Sequence, residues 1–149
     1  MNQNFIDNCR KTGEFEPIDL AFADFLLRFA RTPECEELYL AGLFASRAVR
    51  LSHSCCSLEE IAGKPFPEIP DDGHSQIILP EFKHWSKQLR ALKCAVSDYS
   101  DLKGDVDNFL THYQTPLVID EKSRLYLQRY LYYELQLAKA IIDLSLIHI

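Results

Sequence analysis

The sequence predicts a mainly α-helical domain with one short β-hairpin near residues 116–127 that leads directly into a C-terminal helix. Three observations predict it. Apolar residues recur at intervals of three and four along most of the 149 residues, the period of amphipathic helices. Residue types that begin helices precede those runs at Pro17, Thr32-Pro33, Ser57 and Pro80, as caps or as prolines tolerated in a first turn. Only TPLVIDEKSRLYLQRYLYYELQLAKAIID, residues 115–143, joins a β-branched run to a later helical stripe.

Taken in order, residues 3–12 read as a short helix with Phe5, Ile6 and Cys9 inward and Gly13 ending it. Pro17 opens a clearer helix. Its Ile18, Phe22, Phe25, Leu26 and Phe29 lie at helical spacing and are expected to face the core, with Asp19 at the positive end. Thr32-Pro33 predicts the start of a third helix, followed by Glu34, Glu36 and Glu37 and ending with Arg47 and Arg50. That helix is apolar on both faces, which predicts a central position. Ser57 to Glu60 has the form of a capping box, opening a short helix that Gly63 stops. Residues 64–80 hold Pro65, Pro67, Pro70, Pro80 and Asp71-Asp72-Gly73, the composition of a loop. After Pro80 a helical stripe runs through Phe82, Trp85, Leu89, Leu92 and Val96. Lys83, Lys87, Arg90 and Lys93 occupy its other sides and read as a solvated face. Residues 97–108 read as an acidic loop with a helical turn around Val106, Phe109 and Leu110.

In the hairpin, Leu117-Val118-Ile119 is the first strand, Asp120 to Ser123 the turn and Arg124 to Leu127 the second strand. The helix beyond has two apolar stripes. Leu127, Leu131, Leu135, Ala138 and Ile142 are expected to pack against the helix pair of residues 18–50. Tyr130, Tyr133, Leu137 and Ile141 form the candidate interface, because a helix apolar on two sides needs cover on both.

Composition excludes several function classes. The net charge of −6 is the wrong sign for a domain that grips phosphates by itself. No apolar run reaches the length of a membrane span, and the polar start MNQNFIDNCRK has no signal-peptide core. A cytoplasmic protein with no membrane partner is the expectation. The five cysteines then read as reduced, structural thiols. His53, Cys55 and Cys56 lie close together, but no second ligand pair accompanies them for zinc. Nor is there a sign of the orienting acid or oxyanion hole that a nucleophile needs. No catalytic, cofactor-binding or metal-binding residue is therefore assigned. A P-loop requires GxxxxGK[ST], and the glycines at 13, 42, 63, 73 and 104 never form it. ATPase activity is not expected of this stretch.

Three segments carry a family resemblance. Arg124, Leu125, Tyr126, Leu127, Arg129, Tyr130, Glu134 and Ala138, behind the apolar PLVID strand, resemble the end of the N-terminal domain of exodeoxyribonuclease V alpha chains (RecD). Ala45, Ser46, Ala48, His53, Cys55 and Leu58 resemble a second family segment, although Ser52 replaces its usual glycine. The order of the EPIDLAFA element, the helix pair, the His-x-Cys corner, the Trp-bearing helix and the hairpin is the third, covering about residues 15–143. The resemblance implies a subunit-docking domain of an ATP-dependent helicase and exonuclease of double-strand break repair. It implies gamma and beta chains as partners, the gamma chain first, and DNA contact only through the complete enzyme. ATP and Mg would belong to motor domains that follow this region in the family. The alternative is a stand-alone helical interaction or regulatory domain.

The string LSLIHI, residues 144–149, departs from this pattern. It is one reading frame of CTGTCTCTTATACACATC, the mosaic end of a widely used sequencing transposon. Residues 1–143 are therefore expected to be the RecD-like domain, truncated before the motor, and residues 144–149 to be adapter read-through.

Overall fold

The computed structural model describes residues 1–99 and 106–147. Helices α1 (Gln3–Lys11), α2 (Pro17–Ala30) and α3 (Glu36–Arg50) come first. Strand β1 (Cys56–Ser57), helix α4 (Leu58–Ile61) and strands β2 (Pro65–Phe66) and β3 (Ile77–Ile78) follow. Helix α5 (Phe82–Ala91), strand β4 (Val96–Asp98) and helix α6 (Phe109–His112) lead to β5 (Leu117–Ile119), β6 (Arg124–Leu127) and α7 (Gln128–Ile147). The fold is mainly α, with the hairpin feeding α7 as its sequence pattern requires. Residues 100–105 of the acidic segment, and His148 and Ile149, lie outside the described residues.

Helix α3 is the centre. Every residue from Leu38 to Ser46 is buried, and α2 crosses it closely. The closeness comes from small side chains. A Cβ on Gly42 would stand 2.7 Å from Leu26 Cδ1 and 3.0 Å from the Ala23 Cα. Helix α2 therefore buries Asp19, Ala23, Leu26, Leu27 and Ala30. This corrects the expectation that its aromatic stripe faces inward: of the expected set only Leu26 is fully buried, while Ile18, Phe25 and Phe29 are 63%, 41% and 45% exposed. Rings as large as phenylalanine cannot enter an interface spaced by alanine and glycine without overpacking it.

The hairpin is part of a larger sheet, ordered β1-β6-β5-β4. Strands β5 and β6 pair antiparallel with Val118 opposite Tyr126, and β4 runs parallel to β5. Alternation splits their side chains between two cores. Leu117, Ile119 and Leu125 join the main core with α3 and α5. Val118 and Tyr126 join a second cluster with Phe109, Tyr113 and Leu131.

Several boundaries differ from expectation. Thr32-Pro33 forms a turn closed by the Cys35 N–H on Thr32 O, and α3 starts later with Cys35 as its N-cap. Ser57 makes no capping bond through its side chain, because it lies in β1 paired with Arg124. Residues 64–80 are not loop throughout, since β2 and β3 pair within them. Val96 is not on the Trp85 helix but begins β4, after α5 ends at Ala91.

Helix α7 does not lie on the α2–α3 pair. Of the expected stripe Leu127, at the end of β6, packs against the main core, Leu131 enters the second cluster and Leu135 borders it, whereas Ala138 and Ile142 are exposed. Beyond Leu135 the helix continues in solvent to Ile147, the last described residue.

One polar cluster fixes how α2 enters α3. Asp19 is fully buried. Its Oδ1 accepts from the Ser46 hydroxyl at 2.6 Å, and its Oδ2 accepts from Arg50 Nη2 at 2.9 Å and from the Glu16 N–H at 2.9 Å. Arg47 Nη2 donates to Glu14 Oε2 at 2.6 Å, one turn away. Asp19→Ala leaves the Ser46 hydroxyl and an N-terminal N–H without their acceptor and the Arg50 guanidinium with only the Glu14 carbonyl. It should destabilise the fold by about 3 kcal/mol, since Arg50 keeps partial access to water. Thermal unfolding should show a midpoint lower by roughly 6–12 °C.

Candidate docking surface

Two exposed apolar stripes meet on one side of the molecule. The first is the outer face of α2. Phe22, half-buried against the main core, and the exposed Phe25 and Phe29 line it with tilted rings whose centroids are 6.1 and 5.7 Å apart, and Ile18 continues the row. The second is on α7, where Tyr130, Tyr133, Leu137 and Ile141 are 41%, 53%, 63% and 58% exposed. Between them is a cleft of about 240 Å³ lined by Phe22, Pro116, Leu127, Gln128, Arg129 and Tyr130. Scattered surface apolar residues need no explanation, but contiguous ones around a cleft mark contact surfaces. Aromatic residues beside an arginine are also the composition of interface centres.

The α7 part of this surface was legible from periodicity; the α2 part was not. Ile18, Phe22, Phe25 and Phe29 satisfy the helical stripe of a core face. The counter-signal lay on the other face, in Ala23, Ala30 and the facing Gly42.

The surface is carried on a stiff mount. Asp120, at the β5–β6 turn, accepts through Oδ1 from the N–H groups of Lys122 and Arg124 at 3.0 and 2.9 Å. Its Oδ2 accepts from Arg124 Nε at 2.6 Å and from the Tyr126 hydroxyl at 3.4 Å. Arg90 on α5 donates to the Asp120 carbonyl at 2.8 Å and pairs with Asp98 of β4. The Leu58 N–H donates to the Ser123 carbonyl, which ties α4 to the same turn. The turn that leads into β6 is thus fixed by α4 and α5, and Gln128 at the start of α7 donates to the Pro116 and Tyr113 carbonyls.

His53, Cys55 and Cys56 line a separate cavity of about 300 Å³ beside Arg47 and Phe66. Among the described residues no group of three His, Cys, Asp or Glu side chains is placed to hold a metal ion. Burial pushes the Cys56 thiol up to about 12, and burial also raises Cys55. Burial pushes Cys9 up to about 12 as well. Thiolate is the nucleophile, so these groups are poorly reactive at neutral pH. Among the described residues no helix is long and apolar enough to cross a membrane.

The family model described as the RecBCD enzyme subunit RecD, N-terminal domain, matches residues 11–126, which is most of the chain and runs from the end of α1 into β6. A comparison with curated proteins found no match.

Two measurements check this geometry. In the native protein at pH 7.5, iodoacetamide should label exposed Cys94 first, with Cys9 and Cys56 labelled only on unfolding; mass spectrometry of timed samples reads the order. Tyr133→Ser combined with Ile141→Ser should leave the unfolding midpoint almost unchanged, whereas Leu131→Ala should cost on the order of 2–5 kcal/mol.

Proposed function

We propose, from the premise that this chain belongs to the family of RecD N-terminal domains, that it is the docking domain that attaches a RecD subunit to its enzyme. The observation that carries this reading is the joined apolar surface of α2 and α7, with its aromatic-lined cleft. The partner is another exonuclease V subunit, first the gamma chain, with the beta chain in the same assembly. Recombination repair of double-strand breaks in the cytoplasm is the setting. Binding would come from apolar area and a few aromatic anchors rather than from charge.

Two features support a role in attachment rather than chemistry. A net charge of −6 disfavours independent binding to DNA, so DNA is met only through the complete enzyme. The sequence has no P-loop to cradle the phosphates of ATP, so ATP and Mg belong to motor domains beyond this region. The protein alone should release no phosphate from ATP, with or without DNA, in a coupled assay.

The deciding experiment is titration of the labelled protein against purified gamma chain. Wild type should bind saturably. Phe25→Ser with Phe29→Ser should weaken binding at least about tenfold while the unfolding midpoint stays near wild type. Unchanged affinity in that variant, or no binding by the wild type, would overturn the reading.

A further inference from the structure

A second cleft lies on the other flank of α2, against α1. It measures about 580 Å³, within the range of ligand-binding sites. Its wall is apolar, built from Ile6 of α1, Leu27 of α2 and Pro33 of the following turn, and its rim carries Asp24, Arg28 and Arg31. Among the described residues, neither Arg28 nor Arg31 makes a side-chain hydrogen bond or an ion pair. Every other α2–α3 arginine near a carboxylate is engaged: Arg47 with Glu14 and Arg50 with Asp19.

The rim is built in an unusual way. Arg31 closes α2 in the left-handed conformation, φ 54° and ψ 37°, with its N–H on Arg28 O and the Thr32 N–H on Leu27 O. Glycine is the usual residue at that position, because a Cβ is disfavoured there. The backbone thus holds an arginine at the mouth of the cleft where glycine would be the easier choice. On a chain of net charge −6, two unpaired guanidinium groups one turn apart beside an apolar wall make a local field of the opposite sign. Guanidinium matches carboxylate in geometry as well as charge.

We propose that this cleft binds a partner-protein segment in which a carboxylate side chain neighbours a leucine-sized apolar one. The apolar group fills the space between Ile6, Leu27 and Pro33, and the carboxylate is held by Arg28 and Arg31. Asp24 orients the segment by repelling its acidic end toward the arginines. Arg28 lies on α2 between the Phe25–Phe29 stripe and the cleft, so one segment crossing the helix can reach both. The protein source of the segment rests on the docking reading above; the chemistry of the cleft does not.

The test uses the full chain, labelled for heteronuclear NMR, and an acetylated, amidated Asp-Leu-Leu-Glu peptide as the probe. Saturable shifts are expected at Ile6, Leu27, Arg28 and Arg31. The neutral Asn-Leu-Leu-Gln peptide should bind at least about tenfold more weakly, as should the acidic peptide to the Arg28→Glu/Arg31→Glu variant. Arg28→Lys/Arg31→Lys, which keeps the charge but not the fork geometry, should bind the acidic peptide more tightly than the Glu variant and more weakly than wild type. Equal affinity for both peptides, equal affinity in the Glu variant, or no saturable shift at the cleft would overturn the proposal. The Phe25→Ser/Phe29→Ser variant should bind the gamma chain at least about tenfold more weakly yet keep its peptide affinity, so the two readings fail separately.

Discussion

A single buried carboxylate determines how the first third of the chain is arranged. Asp19 is drawn into the α2–α3 junction with no exposure to water, and an ionised group there persists only if its lone pairs are satisfied. Ser46 and Arg50 from α3 and the Glu16 N–H at the start of α2 satisfy it. That requirement fixes both the axial register and the rotation of α2. Once the rotation is set, Ala23, Leu26, Leu27 and Ala30 must face α3, and Phe25 and Phe29 must face outward. The aromatic surface is thus a consequence of a polar contact on the opposite side of the same helix.

The second half of the molecule repeats the device with another aspartate. Asp120 organises the β5–β6 turn, and Arg90 and Leu58 reach that turn from α5 and α4. The sheet then presents one face to each of two apolar clusters, and α7 follows directly from β6. Each candidate contact helix follows a carboxylate network: Asp19 sits in the first turn of α2, and Asp120 anchors the turn that precedes β6 and α7. What they display beyond those networks is left free of the core.

Much of this was legible in the sequence, and the failures share a cause. The helices, the hairpin and the outward apolar side of α7 follow from periodicity and from turn residues. The rotation of α2 does not, because periodicity locates an apolar stripe without saying whether the protein or a partner covers it. Small residues settle such cases, and they add little to any measure of hydrophobicity. The three-residue strand β4 has no alternation long enough to register, and it exists because β5 offers it a parallel edge. Ser57 has the residue type of a cap but was already engaged in the sheet. In each instance a tertiary partner overrode a local preference.

The small-residue crossing of α2 and α3 also bears on how such a domain can change. At Gly42 any side chain meets Leu26 and the Ala23 backbone, so the inner face of α2 is confined to a few residue types by geometry. Phe25 and Phe29 meet no such limit, being exposed and, among the described residues, making ring contacts only along their own helix. One helix therefore carries two separable alphabets. The inner one is held fixed by the fold, and the outer one is free to drift in step with whatever surface it meets, so specificity can be rewritten without refolding the domain.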